Sequence, residues 1–314
     1  MSAAFSFPLK QILDYLPPAL RSLLEMLSPE QAEELEEIRI KAEAPLLLRF
    51  HREEAFLGRA GLQPQRDARL YRVSRDELHR TVMLLSDSSF YALEEELRRG
   101  YITLPGGHRA GLTGRAVLEK GAIRTLKEIS SVNIRVARPV KGAARELLPR
   151  LLDAEGRPFQ TLIVSPPRAG KTTILRDLSR MFSDGEEVEP LRVGLVDERS
   201  ELAAMRDGVA QLPVGLRTDV LDGCPKAEGL MLLLRSMSPQ LLLCDEIGRE
   251  EDVQALQEAA NAGVKLIASA HGRDEQELLC RPVFARLLAQ HCFERIVILS
   301  RRLGPGTIER VIEG

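Results

Sequence analysis

The stretch Ser165-Pro-Pro-Arg-Ala-Gly-Lys-Thr-Thr173 decides which fold the sequence predicts. A short apolar run at 161–164, typical of a buried strand, precedes it, and an amphipathic helix is predicted over 172–182. A strand, a glycine-rich turn and a helix in this order form a phosphate-binding loop, because the amide groups of the turn and the helix N-terminus converge on an anion. The stretch therefore predicts a nucleoside triphosphate site, and an incidental strand–turn–helix is the alternative.

Each part of the predicted loop has a role in phosphate binding. The residues expected to line the site are Ser165, Pro166, Pro167, Arg168, Ala169, Gly170, Lys171, Thr172 and Thr173. We expect Lys171 to reach the β- and γ-phosphates and the Thr172 hydroxyl to ligate Mg²⁺. Ser165 replaces the glycine that usually opens the motif, and serine fits there only if its backbone stays out of the left-handed region.

A second motif, Leu241-Leu-Leu-Cys-Asp-Glu246, strengthens the nucleotide hypothesis. It is an apolar strand, predicted over 241–245, that ends in two acidic residues. Acidic residues are depleted in strands, and open α/β sheets bind ligands at the carboxyl ends of their strands. We predict that Asp245 holds Mg²⁺ through a water and that Glu246 orients or deprotonates the attacking water. The alternative is a helix start, where the helix dipole favours acids.

Two more predicted strands end in polar residues. The strand over 192–197 runs into Asp197-Glu-Arg-Ser-Glu201, and the strand over 265–270 runs into Ser269-Ala-His271. Parallel strands present their carboxyl ends at one edge of a sheet, so these side chains are expected to cluster with the first two motifs.

Composition limits the class of protein. The chain has 314 residues, which suggests two domains, and 44 Lys and Arg against 46 Asp and Glu. The net charge of −2 argues against a dedicated nucleic-acid surface. No apolar run approaches a membrane span and no signal peptide is recognised, so we expect a cytoplasmic protein that reaches a membrane only through a partner. The four cysteines lack zinc spacing and are expected to be reduced thiols.

The first half of the chain predicts an α+β domain over residues 1–138. Helices are expected over 8–36, interrupted at Pro17-Pro18, and strands at 38–41 and 46–50. A capping box at 74–77 opens a helix that ends near Leu85, and a further helix is predicted over 89–99. From Tyr101 to Ala137 the pattern is again that of strands separated by glycine turns.

The second half predicts an α/β domain over 159–314, after a linker or helix at 139–158. Strands expected at 161–164, 192–197, 241–245, 265–270 and 294–299 alternate with helices. This alternation predicts a mostly parallel sheet with helices on both faces. The segment 307–312 is expected to pair with 294–299 as an antiparallel hairpin.

The order of these motifs resembles that of the RecA-like ATPases of the type II and type IV secretion family. The closer resemblance is to the stage III sporulation protein AA family of endospore-forming bacteria. The residues that carry it are Pro166-Pro167 with Gly170-Lys-Thr-Thr173, Val196-Asp-Glu-Arg-Ser-Glu201, Gly215-Leu-Arg-Thr-Asp-Val-Leu-Asp-Gly-Cys-Pro-Lys226, Arg235-Ser-Met-Ser-Pro239, Cys244-Asp-Glu-Ile-Gly-Arg249, Ala268-Ser-Ala-His-Gly272, Gly100-Tyr-Ile-Thr-Leu-Pro-Gly-Gly-His-Arg109 and Asn133-Ile-Arg-Val-Ala-Arg138.

The resemblance implies a RecA-like P-loop ATPase core preceded by a smaller α+β domain that helps to close each nucleotide site. It implies a hexameric ATPase that uses ATP and Mg²⁺. It also implies work in the mother-cell cytoplasm, where the protein would drive assembly of, or transport through, the channel between mother cell and forespore. Membrane-bound proteins of the same complex would be its partners.

The resemblance also assigns roles to single residues. Asp197 and Glu201 match the acidic box that supports the metal and the water, Glu246 matches the Walker B glutamate, and His271 matches the histidine of the last motif. A second histidine that is usual in secretion ATPases is Val264 here.

An arginine supplied in trans is common in ring ATPases. The candidates are Arg217, the preferred one, and Arg249, Arg109, Arg135 and Arg138. Two other functions stay open at this point. One is a nucleotide-dependent switch that hydrolyses slowly, and the other is a nucleic-acid-dependent RecA-like ATPase. Steady-state turnover would separate the first from a motor, and stimulation by DNA or RNA would support the second.

Overall fold

A computed structural model of the chain describes residues 7–51, 53–63, 70–86, 100–290 and 292–313. The chain divides into two compact units, Met1–Arg138 and Pro139–Gly314. Within the described ranges, no helix is both long enough and apolar enough to span a membrane. The helix predicted over 89–99 lies outside the described residues.

The first unit packs short helices against an antiparallel sheet. Its helices are α1 (Phe7–Leu13), α2 (Pro18–Leu24), α3 (Pro29–Glu34) and α4 (Arg75–Leu85). Its strands are β1 (Leu35–Lys41), β2 (Leu46–Phe50), β3 (Glu54–Gly58), β4 (Gly61–Gln63), β5 (Tyr101–Thr103), β6 (Arg109–Glu119) and β7 (Ala122–Arg135). The strand order is β4-β3-β2-β1-β7-β6-β5, with antiparallel pairing throughout the described residues.

The predicted elements of this unit that fall on described residues are confirmed in type, with one wrong boundary and two omissions. Pro18 opens α2, where its ring fits the first helical turn, so the break at the proline pair is confirmed. The helical prediction is wrong beyond Glu34, because β1 begins at Leu35 and pairs with both β2 and β7. The sequence does not predict β3 and β4, which have only 5 and 3 residues and lie at the edge of the sheet.

The second unit is an α/β domain. Its strands are β8 (Thr161–Ser165), β9 (Val193–Asp197), β10 (Met205–Arg206), β11 (Val209–Ala210), β12 (Thr218–Asp222), β13 (Leu241–Cys244), β14 (Lys265–His271), β15 (Arg295–Ser300) and β16 (Thr307–Glu313). Its helices are α5 (Lys171–Asp184), α6 (Lys226–Ser236), α7 (Glu250–Asn261), α8 (Glu275–Leu279) and α9 (Pro282–Ala289).

The main sheet of this unit has the order β12-β9-β13-β14-β8-β15-β16. Neighbouring strands are parallel except for β16, which pairs antiparallel with β15, so the predicted hairpin is confirmed. The mostly parallel sheet that the sequence predicts is also confirmed. The edge strand β12 is not predicted from the sequence, because its residues Thr218-Asp-Val-Leu-Asp222 are only half-buried and lack an apolar run.

Helices cover both faces of the main sheet. In β8, Ile163 packs in the same apolar cluster as Leu175 of α5. Its neighbour Leu162 faces the other side, in a cluster with Leu230 of α6 and Leu256 of α7. The helix α5 therefore lies on one face of the sheet, and α6 and α7 lie on the opposite face.

The segment 139–158 packs on the α5 face. It contains a short 3₁₀ helix, Leu148–Leu151, and Ala144, Leu147 and Leu151 are fully buried in the cluster around α5. The buried carboxylate of Asp177 on α5 accepts a hydrogen bond of 2.9 Å from the amide of Ala144. This segment is thus attached to the helix that follows the glycine-containing stretch 165–170.

Candidate active site

The carboxyl ends of the parallel strands bring the predicted site residues to one edge of the sheet. Ser165 at the end of β8 is in register with His271 at the end of β14. On the other side, Cys244 of β13 is in register with Val196 of β9, so Asp245, which follows β13, lies beside Asp197, the last residue of β9. The clustering expected from the sequence is therefore observed.

The stretch 165–173 forms a tight turn between β8 and α5. Ser165 is fully buried as the last residue of β8 and is not among the residues with positive φ, as the prediction for serine requires. The left-handed positions are Arg168, with φ 60°, and Gly170, with φ 89°. A side chain at Gly170 would also collide with the β15–β16 turn, because a Cβ there would lie 2.9 Å from the amide nitrogen of Gly306.

A hydrogen bond joins that turn to the loop. The amide of Gly306 donates to the carbonyl of Ala169 over 2.9 Å. The turn of the C-terminal hairpin therefore supports the loop from the side of residues 169 and 170, a contact that the sequence does not predict. The glycine at 306 is itself in the left-handed region, with φ 89°.

Lys171 is the first residue of α5, and its side chain points into the loop. It is only 6% exposed, and its ammonium donates to the carbonyl and the hydroxyl of Ser165, each over 3.2 Å. Burial lowers the pKa of Lys171, and the carboxylates of Glu246 and Asp245 oppose this shift. The serine that replaces the usual glycine thus contacts the lysine directly.

Lys171 also contacts His271, which in turn contacts Glu246. Nζ of Lys171 lies 3.1 Å from Nδ1 of His271, and Nε2 of His271 lies 2.8 Å from Oε1 of Glu246. An ammonium can only donate, so Nδ1 must accept and Nε2 carries the proton donated to Glu246. This arrangement assigns the Nε2–H tautomer of a neutral imidazole.

Glu246 is held in an uncommon backbone conformation. Its φ is 46°, which is left-handed for a residue with a Cβ, and its amide donates to Oγ of Ser269 over 3.0 Å. Its second carboxylate oxygen, Oε2, lies 2.8 Å from a guanidinium nitrogen of Arg199. Strained residues of this kind cluster at functional sites, because the surrounding structure must hold them in place. The carboxylate is therefore fixed between His271 and Arg199.

Asp245 is the buried acid of the site. It is 3% exposed, and its Oδ1 is buried without a hydrogen-bond partner among the described residues. Burial, together with the Asp197 carboxylate, raises the pKa of Asp245 to about 7, and the Lys226 ammonium opposes this rise. A buried carboxylate oxygen without a donor fits a bound cation, since buried charges need a partner.

Thr172 and Asp245 fit a magnesium ion that is also held by phosphates and water. Thr172 is half-buried at the start of α5. No cluster of three or more His, Cys, Asp or Glu in the described ranges could hold a metal alone. Magnesium in phosphate sites needs only one or two protein ligands in addition to phosphate and water.

Asp197 organises the loop after β9. Its carboxylate accepts amide hydrogen bonds from Glu201, Leu202 and Ala203 over 2.8 to 2.9 Å. Burial raises the pKa of Asp197, and these hydrogen bonds oppose the rise. Glu201 is half-buried, and its charge contributes to the raised pKa of Asp245. Both residues therefore belong to the site, but the Asp197 carboxylate is engaged by the backbone.

Arg217, the preferred candidate for the arginine supplied in trans, does not lie at the site of its own chain. Arg217 directly precedes β12, and so lies at the amino ends of the strands, opposite the loop. Its guanidinium donates to the carbonyl of Ser183 near the end of α5 over 2.9 Å. Arg249 is exposed and opens α7, three residues after Glu246.

The N-terminal arginine candidates make local contacts in the first unit. Arg109 stacks on the ring of Tyr101 at 3.9 Å. Arg138 donates to the carbonyls of Leu35 and Ala32 over 2.7 and 3.0 Å. Arg135 lies 3.9 Å from the carboxylate of Glu37.

Two site residues are not identified as candidates by the sequence. They are Arg199, which holds Glu246, and Lys226, whose ammonium pairs with the partly buried carboxylate of Glu198; the sequence offers Glu198 only as a base to consider if Glu246 is not the base. Both Glu198 and Arg199 lie inside the acidic stretch that follows β9, and Lys226 ends the long motif that begins at Gly215. Their position within these motifs could have marked them as site residues. Their contact partners could not be predicted, because these depend on the order of the strands.

Comparison with known proteins gives one family. The model for "Sporulation stage III, protein AA" matches residues 9–314. The chain is 43% identical over 306 residues to stage III sporulation protein AA of Bacillus subtilis (strain 168), which is 97% of this chain and 95% of that protein. It is 27% identical over 285 residues to SEEDLING PLASTID DEVELOPMENT 1 of Arabidopsis thaliana, covering 87% of this chain but 35% of that protein.

Solved structures with a similar fold include a pilus retraction motor and an ATPase. The pilus retraction motor PilT with bound ADP matches with a TM-score of 0.59 and 14% identity, over 92% of this chain and 77% of that one. The ATPase DotB of Legionella pneumophila matches with a TM-score of 0.56 and 14% identity, over 94% of this chain and 77% of that one. These likenesses confirm the RecA-like P-loop fold that the sequence predicts.

Proposed function

Because the chain belongs to the sporulation stage III protein AA family, we propose that it is a Mg²⁺-dependent ATPase of the secretion-ATPase type. The observation that carries the proposal is the chain of contacts from Lys171 through His271 to Glu246. It links the cation of a phosphate loop to a carboxylate that is held at the same strand edge. ATP and Mg²⁺ are the proposed ligands, and the solved structure of PilT with ADP supports the choice of a nucleotide.

The loop residues bind the phosphates. Amide groups at the start of α5 and the Lys171 ammonium supply positive charge where the phosphates carry negative charge. Thr172 and Asp245 are the proposed magnesium-binding residues, and the ion would neutralise charge on the phosphates when bound. Residues 165–173 as a group line the site in this proposal.

Glu246 is the proposed general base. Its carboxylate would orient a water and take its proton as the oxygen attacks the γ-phosphate. His271 and Arg199 hold the carboxylate, so its position does not depend on the flexible side chain alone. Asp197 acts through the loop that it organises, and Glu201 adds negative charge beside Asp245. Arg217 lies at the opposite end of the sheet from the site of its own chain, so any catalytic role would be in the site of a neighbouring copy.

The proposed biological role follows from the family. We infer that hydrolysis drives assembly of, or transport through, the channel between mother cell and forespore during endospore formation. In this account the protein acts in the mother-cell cytoplasm as a homo-oligomer, with a hexamer as the expected form. Its partners are membrane-bound proteins of the same complex, and no nucleic acid takes part.

ATP hydrolysis measured against protein concentration tests this proposal, with the mass of the protein determined in the same samples. We expect activity per chain to rise as the oligomer forms. Binding of ATP with negligible turnover, even in the oligomer, would replace the motor with a nucleotide switch. Strong stimulation by DNA or RNA would instead support a nucleic-acid-dependent ATPase.

A further inference from the structure

Leu216 is almost completely exposed, with 93% of its surface accessible. A single exposed leucine is ordinary on a protein surface. This one, however, lies in a loop, residues 214–217, that many contacts hold in a fixed conformation. The loop joins the segment after β11 to the edge strand β12.

The contacts that hold the 214–217 loop are on the end of α5. The amide of Leu216 donates to Asp184 over 2.7 Å, and the amide of Arg217 donates to Oγ of Ser183 over 2.6 Å. Gly215 has φ 101°, and a Cβ there would lie 2.4 Å from the Ser183 side chain. The loop therefore lies directly against the helix and requires glycine at 215.

The buried side of the loop is equally well held. Val214 is 5% exposed in the α5 cluster, and its carbonyl accepts hydrogen bonds from the hydroxyls of Ser179 and Thr218 over 2.9 and 2.7 Å. The ordering of this loop leaves a leucine and an arginine side by side on the surface. An exposed apolar side chain on an ordered loop, next to an arginine, suits an interface, because little backbone entropy remains to be lost on binding.

The opposite face of the same sheet carries a surface groove between α6 and α7. Its volume is about 530 Å³, and its apolar lining includes Ala227, Met231 and Leu232. Leu232 is 54% exposed, which is high for a leucine on a helix that packs against the sheet. The groove is therefore an apolar surface that could cover a leucine side chain.

The charge of the groove is complementary to that of the loop. Three carboxylates line it, those of Glu228, Glu251 and Glu258, against a single guanidinium, that of Arg235. None of the three carboxylates forms an ion pair within the described residues. An incoming apolar side chain with an adjacent arginine would meet an apolar lining and an excess of negative charge.

We propose that the 214–217 loop of one copy of this chain binds the α6–α7 groove of the next copy. Leu216 enters between Met231 and Leu232, and Arg217 faces the glutamates. The loop packs on α5 and the groove lies on the other face of the sheet, so the two surfaces are different and can be used at the same time. Such a head-to-tail contact forms a closed ring if the rotation closes, and an open chain if it does not.

The inference extends the proposed function, in which the chain works as an assembly of its own copies. It does not depend on ATP hydrolysis, because Lys171 and Glu246 belong neither to the 214–217 loop nor to the residues that line the groove. It also gives Arg217 a role other than catalysis.

Sedimentation velocity of the full chain over a range of protein concentrations tests the contact. The variants are Leu216→Asp, which places a charge on the loop, and Leu232→Asp, which places one in the groove. Both leucines are more than half exposed, so neither change should disturb folding. Each variant should need at least about tenfold more protein to associate than the wild type. The control is Leu303→Asp, at a leucine that is 78% exposed in the β15–β16 turn, and it should associate normally.

Mixing the two variants gives the decisive result. Leu216→Asp keeps a working groove and Leu232→Asp keeps a working loop, so the mixture should form a dimer with one copy of each and grow no further. The proposal is overturned if the wild type stays monomeric, if either variant associates like the wild type, or if the mixture forms no dimer. ATP binding by the same samples shows that the nucleotide site is intact. Failure of the variants or of the mixture, with a wild type that still associates, overturns this contact and leaves the proposed function standing, whereas a monomeric wild type would contradict both.

Discussion

His271 and Glu246 are joined by a contact of 2.8 Å between Nε2 and Oε1, across two neighbouring strands of the parallel sheet. The other ring nitrogen of His271 faces Lys171 at 3.1 Å. One imidazole therefore connects the phosphate loop on β8 to the acid that follows β13. A movement of Lys171 in the loop can therefore shift the Glu246 carboxylate through the side chain of His271 alone.

Arg199→Ala should slow hydrolysis and leave nucleotide binding unchanged. The arginine holds the second oxygen of Glu246 at 2.8 Å, and its loss leaves the carboxylate fixed only by His271. Misplacement of a catalytic group typically lowers the rate by about ten- to a hundredfold. Steady-state kinetics should show the loss in kcat with little change in KM. Arg273→Ala, at an exposed arginine paired with Glu277, is the matched control. A large rise in KM would instead place Arg199 in nucleotide binding.

Lys171→Ala should abolish nucleotide binding while the protein stays folded. The lysine is the cation inside the phosphate loop, and its hydrogen bonds go to Ser165, Pro166 and His271 within the loop and the neighbouring strand end. Titration with a fluorescent ATP analogue measures the affinity, and circular dichroism checks the fold. Lys141→Ala, at an exposed lysine of the same unit, should bind normally. Tight ATP binding by the folded Lys171 variant would refute the phosphate-loop assignment.

Gly170→Ala should weaken nucleotide binding, and it should do so much more than Gly142→Ala. Its φ is 89°, and an added Cβ would lie 2.9 Å from the Gly306 amide, so the hairpin turn and the loop must separate. The control is Gly142→Ala, where φ is 81° but no atom lies within 4 Å of the new Cβ. That control isolates the cost of the left-handed backbone, about 1–2 kcal/mol. Equal effects of both variants on ATP affinity would show that contact with the turn is unimportant.

His108 should make the first unit less stable in acid. Burial, with a contribution from the Arg138 guanidinium, lowers the pKa of His108 from 6.5 to about 4 in the folded chain. The unfolded chain therefore binds a proton at higher pH than the folded chain. The contribution of neutral His108 to the free energy of unfolding is complete above pH 6.5 and is lost as the pH falls from 6.5 to 4. The loss is at most roughly 3 kcal/mol.

Urea unfolding at several pH values measures this effect. Wild type and His108→Asn should differ in the slope of the unfolding free energy between pH 6.5 and 4. The asparagine oxygen can accept the hydrogen bond that the Ala137 amide donates to Nδ1 of His108 over 2.9 Å, but the side chain does not titrate, so the slope is the informative quantity. Identical slopes would show that His108 titrates normally in the folded chain.

The loop and the strand edge could be predicted because their signals are local. Ser165 to Thr173 is a contiguous turn, and the polar residues at 197, 245 and 271 each follow an apolar run. Once the sheet is parallel, these ends must meet at one edge, whatever the order of the strands. The type of fold therefore followed from short stretches of sequence.

The contacts within the site could not be predicted in the same way. Arg199 reaches Glu246 only because β9 is the neighbour of β13, and Gly306 reaches the loop only because β15 lies beside β8. Periodicity does not specify strand order. The strand β12 was not predicted because it lies at the edge of the sheet. An edge strand is less buried than a central one and so does not require a run of apolar residues.

The role of Ser165 is a further example. From sequence it is a substitution that the backbone must tolerate. In the structure its hydroxyl lies 3.2 Å from the Lys171 ammonium and donates to the carbonyl of Pro166 over 2.9 Å. Ser165 therefore replaces the usual glycine and also holds the Lys171 side chain in place. Only the three-dimensional arrangement shows this contact.

The most direct test of the central claim is single-turnover hydrolysis of bound ATP by wild type and Glu246→Gln. Glutamine keeps the shape of the side chain and can still bond to His271 or Arg199, but it cannot accept the proton of the attacking water. The account predicts that Glu246→Gln binds Mg²⁺–ATP with normal affinity and cleaves it about 10²–10⁴ times more slowly, so that the ATP-loaded protein accumulates. Cleavage at the wild-type rate would contradict the assignment of Glu246 as the base, and failure to bind ATP would contradict the division of labour between Asp245 and Glu246.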